Sequence, residues 1–200
     1  MAHASSPPAL SCGRFRETTF ELLGGVTELN FNKLNWGDDE AVQLAVVLPL
    51  CAKLVKLMLE FNRVGDRGAA ALAGAVQGSA ALKELWLVGN QVGDAGAAAL
   101  GEGLKSNATL ETLYLISNQV GDAGTAALGE ALKSNAALKV LDLSNNQVGD
   151  AGAAALGEAL KSNAALEVLD LESNQVGNDA KSKLRESVEG REGLSLAVSV

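Results

Sequence analysis

The chain has 200 residues, 48% of them hydrophobic and 20% charged, a composition that suits one globular domain and argues against a disordered or fibrous chain. Its formal net charge of −8 argues against nucleic-acid phosphates or an anionic membrane as the main partner, since both attract basic surfaces. Two cysteines, Cys12 and Cys51, are too few for a disulfide framework, and neither a leader-length apolar stretch at the start nor a run of about 18 apolar residues is present, so a cytoplasmic protein with reduced thiols is expected.

In chain order, residues 1–25 read as a tail and N-terminal cap. Pro7, Pro8 and small polar residues predict disorder over residues 1–13, and RFRETTFELLGG, residues 14–25, is expected to fold over the open end of the structure that follows. From Val26 the chain matches itself at an offset of 28, with units starting at Val26, Leu54, Leu82, Leu110, Leu138 and Leu166. A period of this length indicates a solenoid.

Each unit opens with an LxxLxLxxN pattern, as in LETLYLISN from Leu110 to Asn118, whose alternation predicts a short strand with one buried face. QVGDAG follows, then an Ala/Leu-rich run that places Ala97, Leu100 and Leu104 on one helical stripe. Asp94 is expected to cap its own helix after a tight turn at Gly93, and Lys105 with Asn107 to close it, Asn107 as a left-handed cap. Asn62, Asn90, Asn118, Asn146 and Asn174 recur where the strands end, where a buried amide can satisfy loop backbone groups of its own and the adjacent unit. Parallel strands stack at about 4.8 Å, whereas helix axes need about 8 to 10 Å. The predicted fold is therefore α/β: a curved solenoid of six 28-residue strand-turn-helix units with a parallel concave sheet and convex helices.

LxxLxLxxN followed by xVGDxGAxxLxxAL resembles the ribonuclease-inhibitor-like class of leucine-rich repeats, a class that also includes Ran GTPase-activating proteins and the sensor domains of NOD-like receptors. The resemblance covers residues 26–189. It implies a scaffold that binds a protein partner, and, as an alternative, a GTPase regulator in the manner of the Ran activators. Arg63 and Arg67, placed in the loop after the second strand, motivate that alternative, since an arginine there could stabilise phosphoryl-transfer charge.

The ends depart from the pattern. Unit one has Leu34 where the asparagine should stand, and Pro49 should end its helix early. In the last unit the apolar stripe gives way to the polar NDAKSKLRESVEG, with Leu184 and Val188 remaining, as a solvated cap requires. The repeat domain is accordingly set at residues 26–193, and residues 194–200 are expected to form a C-terminal cap or an irregular seventh strand.

Strand positions three, five and seven should line the concave sheet, and there the units differ at almost every step. On the helices, Glu102, Glu130 and Glu158 are alike, as are Lys105, Lys133 and Lys161. Variation confined to one exposed face marks that face as the candidate binding surface, against the simpler explanation of drift after duplication. The candidate residues are Met58, Glu60, Trp86, Val88, Tyr114, Ile116, Asp142, Asp170 and Glu172. Trp and Tyr are typical interface anchors, although neighbouring aromatics can also serve only to stabilise a sheet.

No catalytic set accompanies them. His3 is the sole histidine and lies in the tail, so no His-based triad or histidine-rich metal site can be assembled in the repeats. The glycine loops lack the GK[ST] ending of a phosphate-binding loop, Cys51 reads as structural, and the Asp142–Asp170 carboxylates lie on an open sheet. The expectation is a non-catalytic protein-interaction module without metal or cofactor, monomeric, with no nucleic-acid or membrane partner. A structural spacer or self-assembling array is a third reading.

Overall fold

A computed structural model describes residues 24–198. The expectations of tail disorder in residues 1–13 and of an edge cap over residues 14–23 lie outside the described residues. Strands and helices alternate: β1 (Glu28–Asn30), α1 (Asp38–Val47), β2 (Lys56–Met58), α2 (Asp66–Gly78), β3 (Glu84–Trp86), α3 (Asp94–Ser106), β4 (Thr112–Tyr114), α4 (Asp122–Leu132), β5 (Val140–Asp142), α5 (Asp150–Leu160), β6 (Val168–Asp170), α6 (Asn178–Ser187) and β7 (Ser195–Ala197). The strands form one open parallel sheet in chain order, and each helix packs on the next. This is the α/β solenoid of strand-helix units that the repeat predicts.

The register keeps the 28-residue offset from β1 to β6, so Glu28, Lys56 and Glu84 stand side by side, as do Asn30, Met58 and Trp86. Backbone pairing continues past the short strands, with Leu87 and Gly89 N–H donating to Tyr114 and Ile116 carbonyls at 2.9 Å. The seventh strand is present, and pairing Val168 with Ser195 makes its offset one residue shorter than the repeat.

The core lies between sheet and helices. Leu85, Leu87, Leu113 and Leu115 point into it from the strands, and Leu72, Leu100, Leu128 and Leu156 meet them from the helices, all at most 2% exposed. Helix spacing is held short by small residues. A Cβ built on Gly103 would come within 2.8 Å of the Ala73 carbonyl oxygen, and one on Gly101 within 3.0 Å of the Ala127 carbonyl oxygen.

Two asparagine ladders tie the units together. In the expected one, Asn118 donates to the carbonyls of Leu87 (2.8 Å) and Leu115 (3.0 Å) and accepts from Val92 N–H (2.9 Å), so one amide serves two units. At the N-terminal end Asn62 closes the series by accepting from Leu34 and Trp36 N–H, and Leu34 itself is exposed. The second ladder corrects the reading of Asn107 as a left-handed cap: its backbone is extended (φ −80°, ψ 131°). Its buried amide donates to Val76 O of the preceding unit at 2.7 Å and accepts from Leu110 N–H at 2.7 Å. Asn135 and Asn163 repeat this arrangement. At the C-terminal end Arg191 takes the corresponding place, donating to Leu160 O (3.4 Å) and Leu166 O (2.5 Å).

Asp94 also differs from expectation. Gly93 occupies the N-cap, and Asp94 Oδ1 accepts from Gly121 and Gly124 N–H at 2.7 and 2.9 Å, so each aspartate caps the following unit's helix. The carboxylate needs room, because a Cβ on Gly124 would meet Asp94 Oδ1 at 2.8 Å. In the last unit Ala180 stands at that glycine position, and Asp150 Oδ1 accepts from Gly177 N–H at 2.6 Å. As expected, α1 stops at Val47 and Pro49 lies in a 3-10 turn, while α6 keeps Leu184 as its buried residue.

Candidate functional site

The side chains at strand positions three, five and seven stand on the sheet face opposite the leucine core, because each alternates with a buried leucine. Trp86, between Leu85 and Leu87, is half-buried, as are Tyr114, Val88, Ile116, Glu60, Asp142 and Asp170, and Glu172 is exposed. Met58 is the exception and corrects its assignment as an accessible contact residue: it is 7% exposed. It sits in register between Asn30 and Trp86, and the large indole beside it leaves little of the thioether to solvent.

Trp86 and Tyr114 pack edge to face with centroids 4.9 Å apart and an interplanar angle of 78°. That geometry is attractive, since the positive edge of one ring meets the negative face of the other. The indole is fixed further by its Nε1–H, which donates to Glu84 Oε2 at 3.0 Å. Lys56 completes the cluster: its ammonium lies 4.0 Å from the Trp86 ring centroid and 3.3 Å from Glu84 Oε2. The aromatic pair is therefore held by its own neighbours, and Glu84 is paired with Lys56. Glu60 is likewise engaged, accepting from Asn32 Nδ2 at 2.5 Å.

The other half is unlike it. Asp142 is in register with Tyr114 on one side and Asp170 on the other. Each aspartate uses Oδ1 to accept the backbone N–H two residues on, from Ser144 at 2.9 Å and Glu172 at 2.8 Å. The ion pairs among the described residues involve none of Asp142, Asp170 and Glu172. Burial pushes the Asp170 carboxyl above the usual aspartate range, against the lowering effect of the Glu172 N–H, and repulsion from Asp142 and Glu172 adds to the rise.

Phe61 is a residue the sequence reading missed. Residues 33, 61, 89, 117, 145 and 173 form one column with a left-handed backbone, filled by Lys33, Phe61, Gly89, Ser117, Asn145 and Ser173. A bulky aromatic at φ +54° is an outlier in that column. Phe61 is 54% exposed and its ring lies over Gly89, where a Cβ would meet Phe61 Cδ1 at 2.7 Å. Read down the column, one aromatic among small and polar residues is a visible signal. Arg67 is a further correction: it lies in the first turn of α2, not in the loop, and pairs with Asp39 of α1.

Five matches to the Leucine Rich repeat family cover residues 50–73, 79–101, 106–129, 134–157 and 162–183. The chain belongs to the leucine-rich repeat family. No curated protein matches the repeat protein in sequence. Among solved structures it is similar to leiomodin-1 actin-binding site 2, with a TM-score of 0.54, 17% identity and 89% of each chain covered. The C-terminal domain of Caenorhabditis elegans tropomodulin gives a TM-score of 0.53 at 15% identity, over 86% of the repeat protein and 90% of that chain. Pollen receptor kinase 3 gives 0.52 at 17% identity, over 86% and 72%. Likeness at such identities shows the fold alone. Among the described residues no helix is long and apolar enough to cross a membrane.

Proposed function

We propose that this leucine-rich repeat protein is a non-catalytic interaction module that docks a protein partner on the concave sheet face, with Trp86 and Tyr114 as its anchors. The observation that carries the reading is the rigid, half-buried aromatic pair on the face where the units diverge, next to repeats whose helix surfaces are nearly constant. Rigid aromatics lose little entropy on binding and bury large areas, as interface hot spots do. Val88 and Ile116 extend the apolar area, and Glu60, Asp142, Asp170 and Glu172 form its polar surround. The likeness of fold to leiomodin-1 actin-binding site 2 supports a protein-binding role.

The same reading takes the protein as a cytoplasmic monomer without cofactor, supported by the free buried thiol of Cys51 and the acidic balance. The ribonuclease-inhibitor-like class is supported by the 28-residue period with a full helix in each central unit. Regulation of a GTPase has less behind it, since Arg67 is engaged with Asp39 and Arg63 alone remains in the loop.

Replacement of Trp86 or Tyr114 by Ala is expected to leave the far-ultraviolet circular dichroism unchanged and to weaken partner binding by about 2 kcal/mol or more each. The check is capture from native lysate with the parent chain and the double variant, followed by titration of whatever the parent alone retains. Equal affinity in parent and variants would reject the aromatic patch as the docking surface.

A further inference from the structure

The aromatic half of the face already shows what kind of group it accepts. Lys56 places its ammonium over the Trp86 ring and against Glu84, a cation held between an aromatic face and a carboxylate. One unit along, the lysine position is Glu84 and the glutamate position is Thr112, so Tyr114 has no such lysine. Beyond it, in register, stand Asp142 and Asp170, with Glu172 two residues further on and no cation paired to any of the three among the described residues. Tyr114 thus has carboxylates on the strands beyond it and no paired cation beside them.

We propose, resting on the docking reading above, that the occupant of this face is a basic segment of a partner protein, whose apolar anchor covers Trp86 and Tyr114 and whose Lys or Arg side chains meet Asp142 and Asp170. Carboxylates crowded on a half-buried surface are relieved by an incoming cation, whereas beside Trp86 the Glu84 carboxylate already holds Lys56. The segment therefore has a direction. Strand spacing of about 4.8 Å puts Asp142 about 10 Å and Asp170 about 14 Å from Trp86, so an extended occupant carries its cations roughly three to four residues from its apolar anchor.

The aspartates can be neutralised without disturbing the sheet. Asn30, at the same strand position in unit one, makes the same turn, its Oδ1 accepting from Asn32 N–H at 3.0 Å. Asp142→Asn and Asp170→Asn therefore keep the backbone contact and lose only the charge. The probe is a displayed library of random peptides selected on the full chain. Selected peptides are expected to carry an aromatic or large aliphatic residue with Lys or Arg three to four positions away. Their affinity should fall about tenfold in the Asp142→Asn, Asp170→Asn double variant, and should fall with added salt in the parent only. Peptides that need Trp86 and Tyr114 but lack basic residues, or that bind the double Asn variant equally, would overturn the basic segment and leave the docking surface standing. Peptides indifferent to Trp86→Ala and Tyr114→Ala, or no selection above the Ala double variant, would overturn both.

Discussion

Thr125 Oγ1 is buried without a hydrogen-bond partner, on a residue that is 0% exposed. Equivalent positions hold Ala69, Ala97 and Ala153, so the hydroxyl is a solitary addition to a packed helix contact. Leaving such a group unpaired costs about 1 to 3 kcal/mol, more than the roughly 0.8 kcal/mol its methyl contributes by burial. Thr125→Ala is expected to raise stability by about 1 kcal/mol, and Thr125→Val, which keeps the volume, also to raise it, both read from the urea midpoint at unchanged slope. Asp170 offers a second test at this scale. Its carboxyl is raised in the folded chain, so the folded state holds that proton more tightly than the unfolded state does. Stability is therefore lost as pH rises through the carboxylate range. Asp170→Asn should stabilise the protein at neutral pH, and the gain should vanish in thermal melts taken below that range.

At the scale of the element, the same substitution has opposite signs on two helical glycines. Gly74 in α2 has open space around its missing Cβ, so Gly74→Ala should add up to about 1 kcal/mol through helix propensity. Gly103 in α3 lies against the Ala73 backbone, and Gly103→Ala must push α2 and α3 apart. It should destabilise by about 1 to 3 kcal/mol despite the same propensity gain. Urea unfolding of the two variants side by side checks this. Contacts of this kind mark where the sequence stops being readable. The strands and helices follow from local spacing, because each depends on which face of one element is apolar, and the first asparagine ladder follows from its recurrence at the 28-residue period. Local capping logic places Asp94 and Asn107 on their own helix, whereas their partners lie one unit away, at Gly121, Gly124 and Val76. Burial of Met58 escaped for the same reason, since it depends on the indole next to it in the sheet. Phe61 declares itself only when the left-handed column is read across units.

For the whole molecule, stability resides in junctions between units more than within any one of them. Both asparagine ladders, the aspartate caps and the helix contacts all bridge neighbours, and the central junctions are chemically alike. A solenoid of this kind behaves as a one-dimensional array of unit and interface energies. Removing residues 118–145 joins Ser117 to Asn146 and restores the sequence ISNQVGDAG across the junction. Asn146 then takes the place of Asn118, Asp150 follows as Asp122 did, and β4 pairs with β6, setting Asp170 beside Tyr114. The shortened chain is expected to fold, to give the same far-ultraviolet dichroism per residue, and to unfold in urea with a smaller slope and a lower midpoint, since one junction and its buried area are gone. A molten or aggregated product would mean that the junctions are not interchangeable and that long-range features, not nearest neighbours, hold the array. Because the aromatic pair and its carboxylate neighbour survive the deletion, the same chain also separates folding from docking: peptides that bind through Trp86, Tyr114 and one aspartate should still bind it, more weakly for the loss of the second.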